Sequence, residues 1–387
     1  MNLYEKFTKL SAKEKNVCFL YSGGEKGKNI LAWNPIDKFS YKIGDKKNNF
    51  KKFLAKNKQH KLIGYFSYDL AYELYDIKKT AKDDLNLPDI YFLAFDKWLE
   101  EKNTGKTLTI ELPKSKSSNF KATQAKQSYE KAYKKIKHHI KEGDIYQINL
   151  THRLEGKTEE NPRDLFLKVI EKNPVEFLAY IEGENFEILS ASPERFIKIK
   201  NRQIETCPIK GTRPRGKTSK EDQKFKNELL KSLKEASELN MITDLLRNDL
   251  GKISEIHSVK VKGTRLIKKC PTVWHTYSKI TSKLRKDLTP IEGLLSMLPG
   301  GSVTGCPKKR AIEIIDELEP TTRSIYTGVI GHIEPNQDLD FNIAIRTIIK
   351  KKKNVYLQVG GGIVLDSNNK DEYLETLQKA KSFMEIL

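Results

Sequence analysis

Cysteine is scarce: four residues, Cys18, Cys207, Cys270 and Cys306, lie far apart in 387 positions. No Cys-x-x-Cys pair and no Cys/His group at zinc spacing occurs. Neither a disulfide framework nor a structural zinc is expected. Long apolar runs are missing too, and none approaches the ~18 residues of a membrane span. Met1 to Lys15 alternates charged and apolar residues, unlike the apolar stretch of a secretory signal. A cytoplasmic protein with no membrane association is expected. Arginine is absent from the first 152 residues, and all twelve lie at Arg153 or beyond. The net charge of +20 therefore rests on lysines scattered among acids. Nucleic-acid surfaces favour Arg forks and aromatic platforms on one face. The charge reads as general solvation, and no nucleic-acid partner is expected. With 37% hydrophobic residues the chain can build a core, and its length suits two to three domains or one intertwined one.

What is present sorts into strands first and a mixed pattern later. Val17–Tyr21, Leu62–Tyr68 and Ile90–Phe95 read as strands. Residues 101–124 are rich in Lys, Ser and Thr, with a strand-like stretch near Leu108–Leu112, and read as a hairpin plus linker. That places a boundary between an N-terminal β-rich part, 1–122, and a larger part, 123–387. In the second part, Tyr129–Lys141 predicts a helix stopped at Gly143. Ile145–Leu154, Phe177–Ile181, Phe186–Ile199, Val329–Ile333, Phe341–Ile349 and Val355–Val359 predict strands, and Lys350–Asn354 a turn. One long helix is expected over Lys220–Arg247, capped by Ser219 and ended by Gly251. Others are expected over Lys308–Leu318 and Glu372–Ile386. Strands and helices mix without βαβ alternation, which predicts an α+β fold with antiparallel sheet.

Several residues invite chemistry. Glu194, in Ser190–Phe196, follows Pro193 at the start of an apolar strand. A half-buried carboxyl there suits a general acid; the alternative is a strand-end pair with Arg195. Lys210 lies in the rigid Pro208–Pro214 segment, where drying favours a neutral, nucleophilic amine; the alternative is one more solvated lysine. Glu238, with Glu235 a turn earlier, and the i,i+3 pair Glu372 and Glu375 sit on two helices. Converging carboxylates suit Mg²⁺, and solvated helix faces are the alternative. Gly360, Gly361 and Gly362 follow a strand, Gly300–Gly305 precedes a helix, and Arg346 lies in an apolar stretch. Each can hold an anion, though tight turns explain glycine runs equally well. No nucleotide-binding glycine motif and no Ser-His-Asp or Cys-His arrangement occurs.

Taken together, GDIYQINLTHR (143–153), SASPERF (190–196), PIKGTRPRG (208–216), SELNMITDLLRNDLG (237–251), PGGSVTGCPKKRAIEIIDELEP (299–320), IYTGVIG (325–331), FNIAIRT (341–347), GGGIVLDS (360–367) and DEYLET (371–376) resemble the chorismate-utilising enzymes, in family order. The resemblance implies large antiparallel β-sheets sandwiched with flanking helices, and an N-terminal part like that of anthranilate synthase component I. GYFSYDLAYEL (64–74) resembles the N-terminal half of aminodeoxychorismate synthases, and SGG (22–24) sits where the family's tryptophan or effector pocket begins. Anthranilate synthases typically carry Ala where this chain has Lys210. Lysine there marks the aminodeoxychorismate synthases, in which it resembles a covalent nucleophile. Isochorismate and salicylate synthases carry a Lys base at the position of Gln147, so water is not the expected nucleophile.

The roles implied by position follow. Glu194 is the acid/base and Lys210 the nucleophile. Glu238 and Glu375 hold Mg²⁺, with Glu372 nearby. Arg346, Tyr326 and the Gly360–Gly362 amides hold the enolpyruvyl carboxylate, while Gln147, Thr212, His275 and Thr304 line the ring. One stretch departs from the family's A-E-N/H-L-M: Ser237-Glu238-Leu239-Asn240-Met241 keeps the glutamate and changes its neighbours. No cysteine lies in a nucleophile elbow, so no glutaminase is expected in the chain. Ammonia is expected from a separate glutamine amidotransferase subunit, in a heterodimer that serves 4-aminobenzoate and folate synthesis. Anthranilate synthase is the nearest alternative, and a non-catalytic basic protein the more distant one.

Overall fold

The structure is a computed structural model that describes residues 2–23, 26–45, 49–104, 120–122 and 126–386. The strand Ile90–Phe95 shows how its layers arise. All six residues are buried. Ile90, Phe92 and Ala94 join one apolar cluster, with Phe50, Ile197 and Leu246. Tyr91, Leu93 and Phe95 join another, with Cys18, Ile30 and Ile188. Successive side chains point to opposite faces, so a strand covered on both reads as a continuous apolar run.

Two ten-stranded antiparallel sheets stack in this way. The first runs from Gly305–Cys306 through Gln147–Lys157, Asn354–Ile363, Thr347–Lys351, Glu187–Ser192, Phe177–Glu182, Cys18–Tyr21 and Lys26–Ala32 to Trp98–Thr104. The second runs from Ile209–Pro214 through Val273–Lys283, Gln203–Cys207, Arg195–Lys200, Leu339–Ile343, Val329–Ile333, Lys61–Phe66 and Ile90–Phe95 to Asp37–Tyr41. The cluster containing Cys18, Tyr65 and Ile330 fills the space between them. Helices Leu3–Thr8, Pro162–Lys172 and the C-terminal Asn369–Met384 pack on the outer face of the first sheet. Helices Phe50–Lys56, Leu233–Ile253 and Pro290–Met297 pack on that of the second. This is the α+β sandwich with flanking helices that the sequence leads one to expect. Both sheets draw strands from before and after residue 122. The stretch Leu108–Leu112 lies outside the described residues.

Three elements differ from expectation. Phe186–Ile199 is not one strand: Glu187–Ser192 belongs to the first sheet and Arg195–Lys200 to the second. Pro193 has no N–H for a ladder, and the chain crosses between sheets there. Phe341–Ile349 splits likewise into Leu339–Ile343 in the second sheet and Thr347–Lys351 in the first. The helix read over Lys220–Arg247 is two helices, Ser219–Lys231 and Leu233–Ile253. Ser232 takes extended angles between them and accepts from Glu235 N, so it caps the second helix. Thr218 caps the first in place of Ser219. Gly251 stays inside the second helix.

Candidate active site

The two crossovers lie against each other. Ala191 N donates to Arg346 O at 3.0 Å, and Ile343 N to Glu194 O at 3.1 Å. Arg346 takes φ +51°, a left-handed backbone uncommon for a side chain of this size. Both residues line a cavity of about 770 Å³. Glu194 is buried, and its Oε1 accepts from Ser302 Oγ at 2.9 Å. Burial pushes its carboxyl up to about 7, against the pull of the Lys210 charge, the Ser302 hydroxyl and the Ile209 N–H. A carboxyl that holds its proton near neutrality is equipped to be a general acid.

Lys210 arrives on the strand Ile209–Pro214, paired with Val273–Lys283. The register shifts between Lys210 and Thr212, where Gly211 has φ +81°. A Cβ at Gly211 would lie 2.9 Å from Leu229 Cδ1, so the bulge requires glycine. Lys210 Nζ lies 3.8 Å from where Gly362 would carry a Cβ. Opposite Thr212 in the register is His275, whose Nδ1 lies 2.9 Å from Thr212 Oγ1. Burial, with the Arg346 charge adding to it, pulls the imidazole down to about 4 and keeps it neutral. Its buried Nε2 has no protein partner among the described residues. Lys210, Thr212 and His275 all line the cavity.

The carboxylates come from two helices, Glu238 from Leu233–Ile253 and Glu372 and Glu375 from Asn369–Met384, and all three line the cavity. Burial raises the Glu372 carboxyl. The Ser367 hydroxyl at 2.7 Å works against this, while the charges of Glu375 and Glu238 add to it. Burial also acts on Glu375, but Lys379 at 2.8 Å outweighs it and holds that carboxyl low. Among the described residues no three His, Cys, Asp or Glu side chains form a ready-made metal site. The donors are hard oxygens that sense one another across an open cavity. They fit a cation such as Mg²⁺, which keeps waters and takes ligand oxygens, better than an all-protein cage would.

Arg346 is the cavity's candidate anion-binding residue. Burial depresses its guanidinium, and no carboxylate pairs with it among the described residues. Tyr326 and Gly360–Gly362 share its cavity. A Cβ on Gly361 would lie 3.4 Å from Glu372 Oε2, and one on Gly362 would lie 2.8 Å from Gln147 Nε2. The missing side chains therefore leave room beside both. Gln147 is buried behind Gly362 and, like Thr304, is not among the residues that line the cavity, and its Oε1 has no partner among the described residues. Thr304 is fully buried and donates to Gly300 O at 2.8 Å, so it shapes the glycine loop and does not line the cavity.

The cavity also gathers residues the sequence did not point to. Ser302 lay hidden inside a glycine loop. Asn149 lines the wall and ties it to Val303 O at 3.0 Å. Arg213 pairs with Glu235 at 2.7 Å. Lys379 donates to Gly360 O at 2.9 Å as well as pairing with Glu375. Its i,i+4 spacing from Glu375 was the available signal.

A sequence profile described as "chorismate binding enzyme" matches residues 16–385. The chain is 37% identical over 358 residues to aminodeoxychorismate synthase component 1 of Bacillus subtilis, covering 84% of this chain and 76% of that one. It is 34% identical over 367 residues to anthranilate synthase component 1 of Acetivibrio thermocellus, covering 84% and 74%. Its fold superposes on the crystal structure of anthranilate synthase component I from Streptococcus pneumoniae with a TM-score of 0.83, at 27% identity over 99% of this chain and 97% of that one. No helix among the described residues is long and apolar enough to cross a membrane.

Proposed function

This chain belongs to the chorismate-binding enzyme family, and on that premise we propose that it aminates chorismate at C4, as an aminodeoxychorismate synthase component 1. The observation that carries the reading is the meeting of Lys210 and Glu194 in one cavity, close enough for the lysine charge to pull on the carboxyl. An amine facing a protonated acid can add to one end of a conjugated system while the acid protonates a leaving group at the other.

The steps balance. The Lys210 amine bonds to ring C2, the two double bonds shift, and the C4–O bond breaks. Glu194 gives its proton to the departing hydroxyl, which leaves as water. The secondary ammonium so formed returns a proton to Glu194. Ammonia then adds at C4 as the double bonds shift back and the C2–N bond breaks, and the proton that the new C4 nitrogen sheds goes to the departing lysine nitrogen, which leaves as the free amine. Arg346, Tyr326 and the Gly360–Gly362 backbone hold the enolpyruvyl carboxylate. His275, Thr212 and Gln147 position the ring. Glu238 and Glu375, with Glu372 beside them, would hold Mg²⁺, which when bound would neutralise a substrate carboxylate. The ammonia source in this reading is a separate glutamine amidotransferase subunit, as the family resemblance implies.

The test uses the purified chain with chorismate, Mg²⁺ and ammonium. With aminodeoxychorismate lyase added, 4-aminobenzoate is expected by mass. Anthranilate as the main product overturns the reading in favour of an anthranilate synthase.

A further inference from the structure

One buried ion pair outside the cavity lies at the foot of the glycine loop. Lys308 opens the helix Lys308–Leu318, and Asp249 lies near the end of Leu233–Ile253. Both are buried, and Lys308 Nζ meets Asp249 Oδ2 at 2.8 Å. The same ammonium donates to Met297 O at 3.0 Å. Asp249 Oδ1 is also 3.1 Å from Lys252 Nζ, at the surface end of the group. A buried ion pair is a weak source of stability, because desolvation consumes most of the attraction. Its geometry is more informative. Met297 and Lys308 bracket the glycine loop 299–306, so one ammonium fixes both ends of that loop to one carboxylate.

The loop lies close on the same helix. A Cβ on Gly301 would meet Leu245 Cδ2 at 2.5 Å and lie 3.9 Å from Asp249 Oδ2. On its other side, Arg323 Nη1 and Asn149 Nδ2 donate to Val303 O at 2.9 and 3.0 Å. Between these supports stands Ser302, whose hydroxyl points to Glu194 Oε1 at 2.9 Å. Glu238 rides on the helix of Asp249, about 16 Å away along its axis. One rigid rod thus carries a cavity carboxylate and, through Lys308, the loop that serves the acid.

We propose that Lys308 and Asp249 are positioning residues that hold the 299–306 loop so that Ser302 stays hydrogen-bonded to Glu194. The proposal rests on Glu194 as the working acid and does not depend on which product is made. Lys210 is the charged group bearing on Glu194, while Arg346 and the neutral His275 line the same cavity. None of these is touched by the pair. Loss of the Ser302 bond removes a donor to the carboxylate, so the Glu194 titration moves to higher pH.

The test compares the full chain with Ser302→Ala, the paired Lys308→Met/Asp249→Leu variant, and the triple combination. Lys308→Met alone removes the buried partner of a buried carboxylate and risks misfolding, whereas removing both charges leaves no buried charge unpaired, because Lys252 is solvent-exposed. The Glu194 carboxyl is followed by ¹³C NMR of glutamate-labelled protein, assigned with Glu194→Gln, so no turnover is needed. Ser302→Ala and the paired variant should each move the midpoint to higher pH, and the triple variant should move it no further than Ser302→Ala does. With chorismate and ammonium, kcat should fall about tenfold in the paired variant with KM nearly unchanged, part of the roughly 10²–10⁴ that a placed acid contributes. An unmoved midpoint in the paired variant, or a shift that adds in full to that of Ser302→Ala, overturns the proposal. A failure of the product assignment changes the compound formed and leaves these midpoints as they are.

Discussion

Glu194 and Arg346 occupy two of the places where the chain passes from one sheet to the other, and the backbone hydrogen bonds around them join these two crossovers. The proposed acid and the proposed anion-binding cation are therefore both placed by sheet topology. Arg346 keeps a half-buried charge and a left-handed backbone without a carboxylate partner among the described residues. Such arrangements persist where a ligand completes them.

That leads to a prediction for Arg346→Gln. The empty protein should melt no lower than the wild type, because a partly desolvated charge without a carboxylate partner is removed. Chorismate should lose most of its stabilising effect on the melting temperature. Loss of a charge-assisted pair is worth about 2–4 kcal/mol, so kcat/KM should fall by roughly 30- to 1,000-fold, mainly through KM. A variant that retains wild-type KM would show that the guanidinium faces no substrate anion.

The second prediction concerns pH and stability. Burial lifts the Glu194 carboxyl to about 7, well above an ordinary carboxylate. The folded state thus binds this proton more tightly than the unfolded chain. That advantage is full below the unfolded value and is lost as pH rises through about 7. At pH 8 the ionised form costs up to ~3 kcal/mol. Glu194→Gln keeps the shape without the titration, so its melting temperature relative to wild type should rise between about pH 4 and pH 8. A difference that stays flat across this range rules out the raised titration.

How much of this was legible beforehand depends on the kind of signal. Ile90–Phe95 declared itself as an unbroken apolar run, and Lys308–Leu318 as one helical period held from end to end. The crossovers did not. Phe186–Ile199 and Phe341–Ile349 keep an apolar pattern straight through the change of sheet, since both sheets bury the strands they receive. Lys210, Glu194 and Arg346 were legible as residues out of keeping with apolar surroundings. Ser302 was not, because a serine between glycines looks like a turn. His275 was placed by resemblance alone. Its strand, Val273–Lys283, alternates buried and half-buried positions and mixes polar with apolar residues, which blurs the period. Thr304 was expected on the ring and is found inside the loop, where its hydroxyl serves Gly300 O.

The third prediction concerns the metal. Glu238, Glu372 and Glu375 share one cavity, and mutual repulsion helps to raise Glu372. A divalent cation should relieve that repulsion. Calorimetry should detect Mg²⁺ binding, strengthened by chorismate, and chelation should abolish turnover until Mg²⁺ is returned. Glu238→Gln or Glu375→Gln should weaken Mg²⁺ binding by at least about tenfold and reduce turnover by orders of magnitude. Unchanged binding and turnover in Glu238→Gln would return that residue to a solvated helix face.

The last prediction separates the two chemistries open to this cavity. Lys210 stands on a bulge that requires Gly211, with its amine beside the Gly362 wall and its charge felt by Glu194. If the amine attacks ring C2, ammonia finds that carbon occupied and must add at C4. If the amine serves only as a positive charge, ammonia is free to add at C2. With chorismate and Mg²⁺ but no ammonia, intact-protein mass spectrometry should show an adduct of one chorismate less one water, and peptide mapping should place it on Lys210. Lys210→Ala should form none. It should lose most of the 4-aminobenzoate obtained with the lyase and gain some anthranilate, because the emptied space admits ammonia to C2. Lys210→Arg keeps the charge but supplies a far weaker nucleophile, and should fail in the same way as Lys210→Ala. Full aminodeoxychorismate output from either variant would reduce Lys210 to an electrostatic prop and remove the main ground for setting this chain apart from the anthranilate synthases.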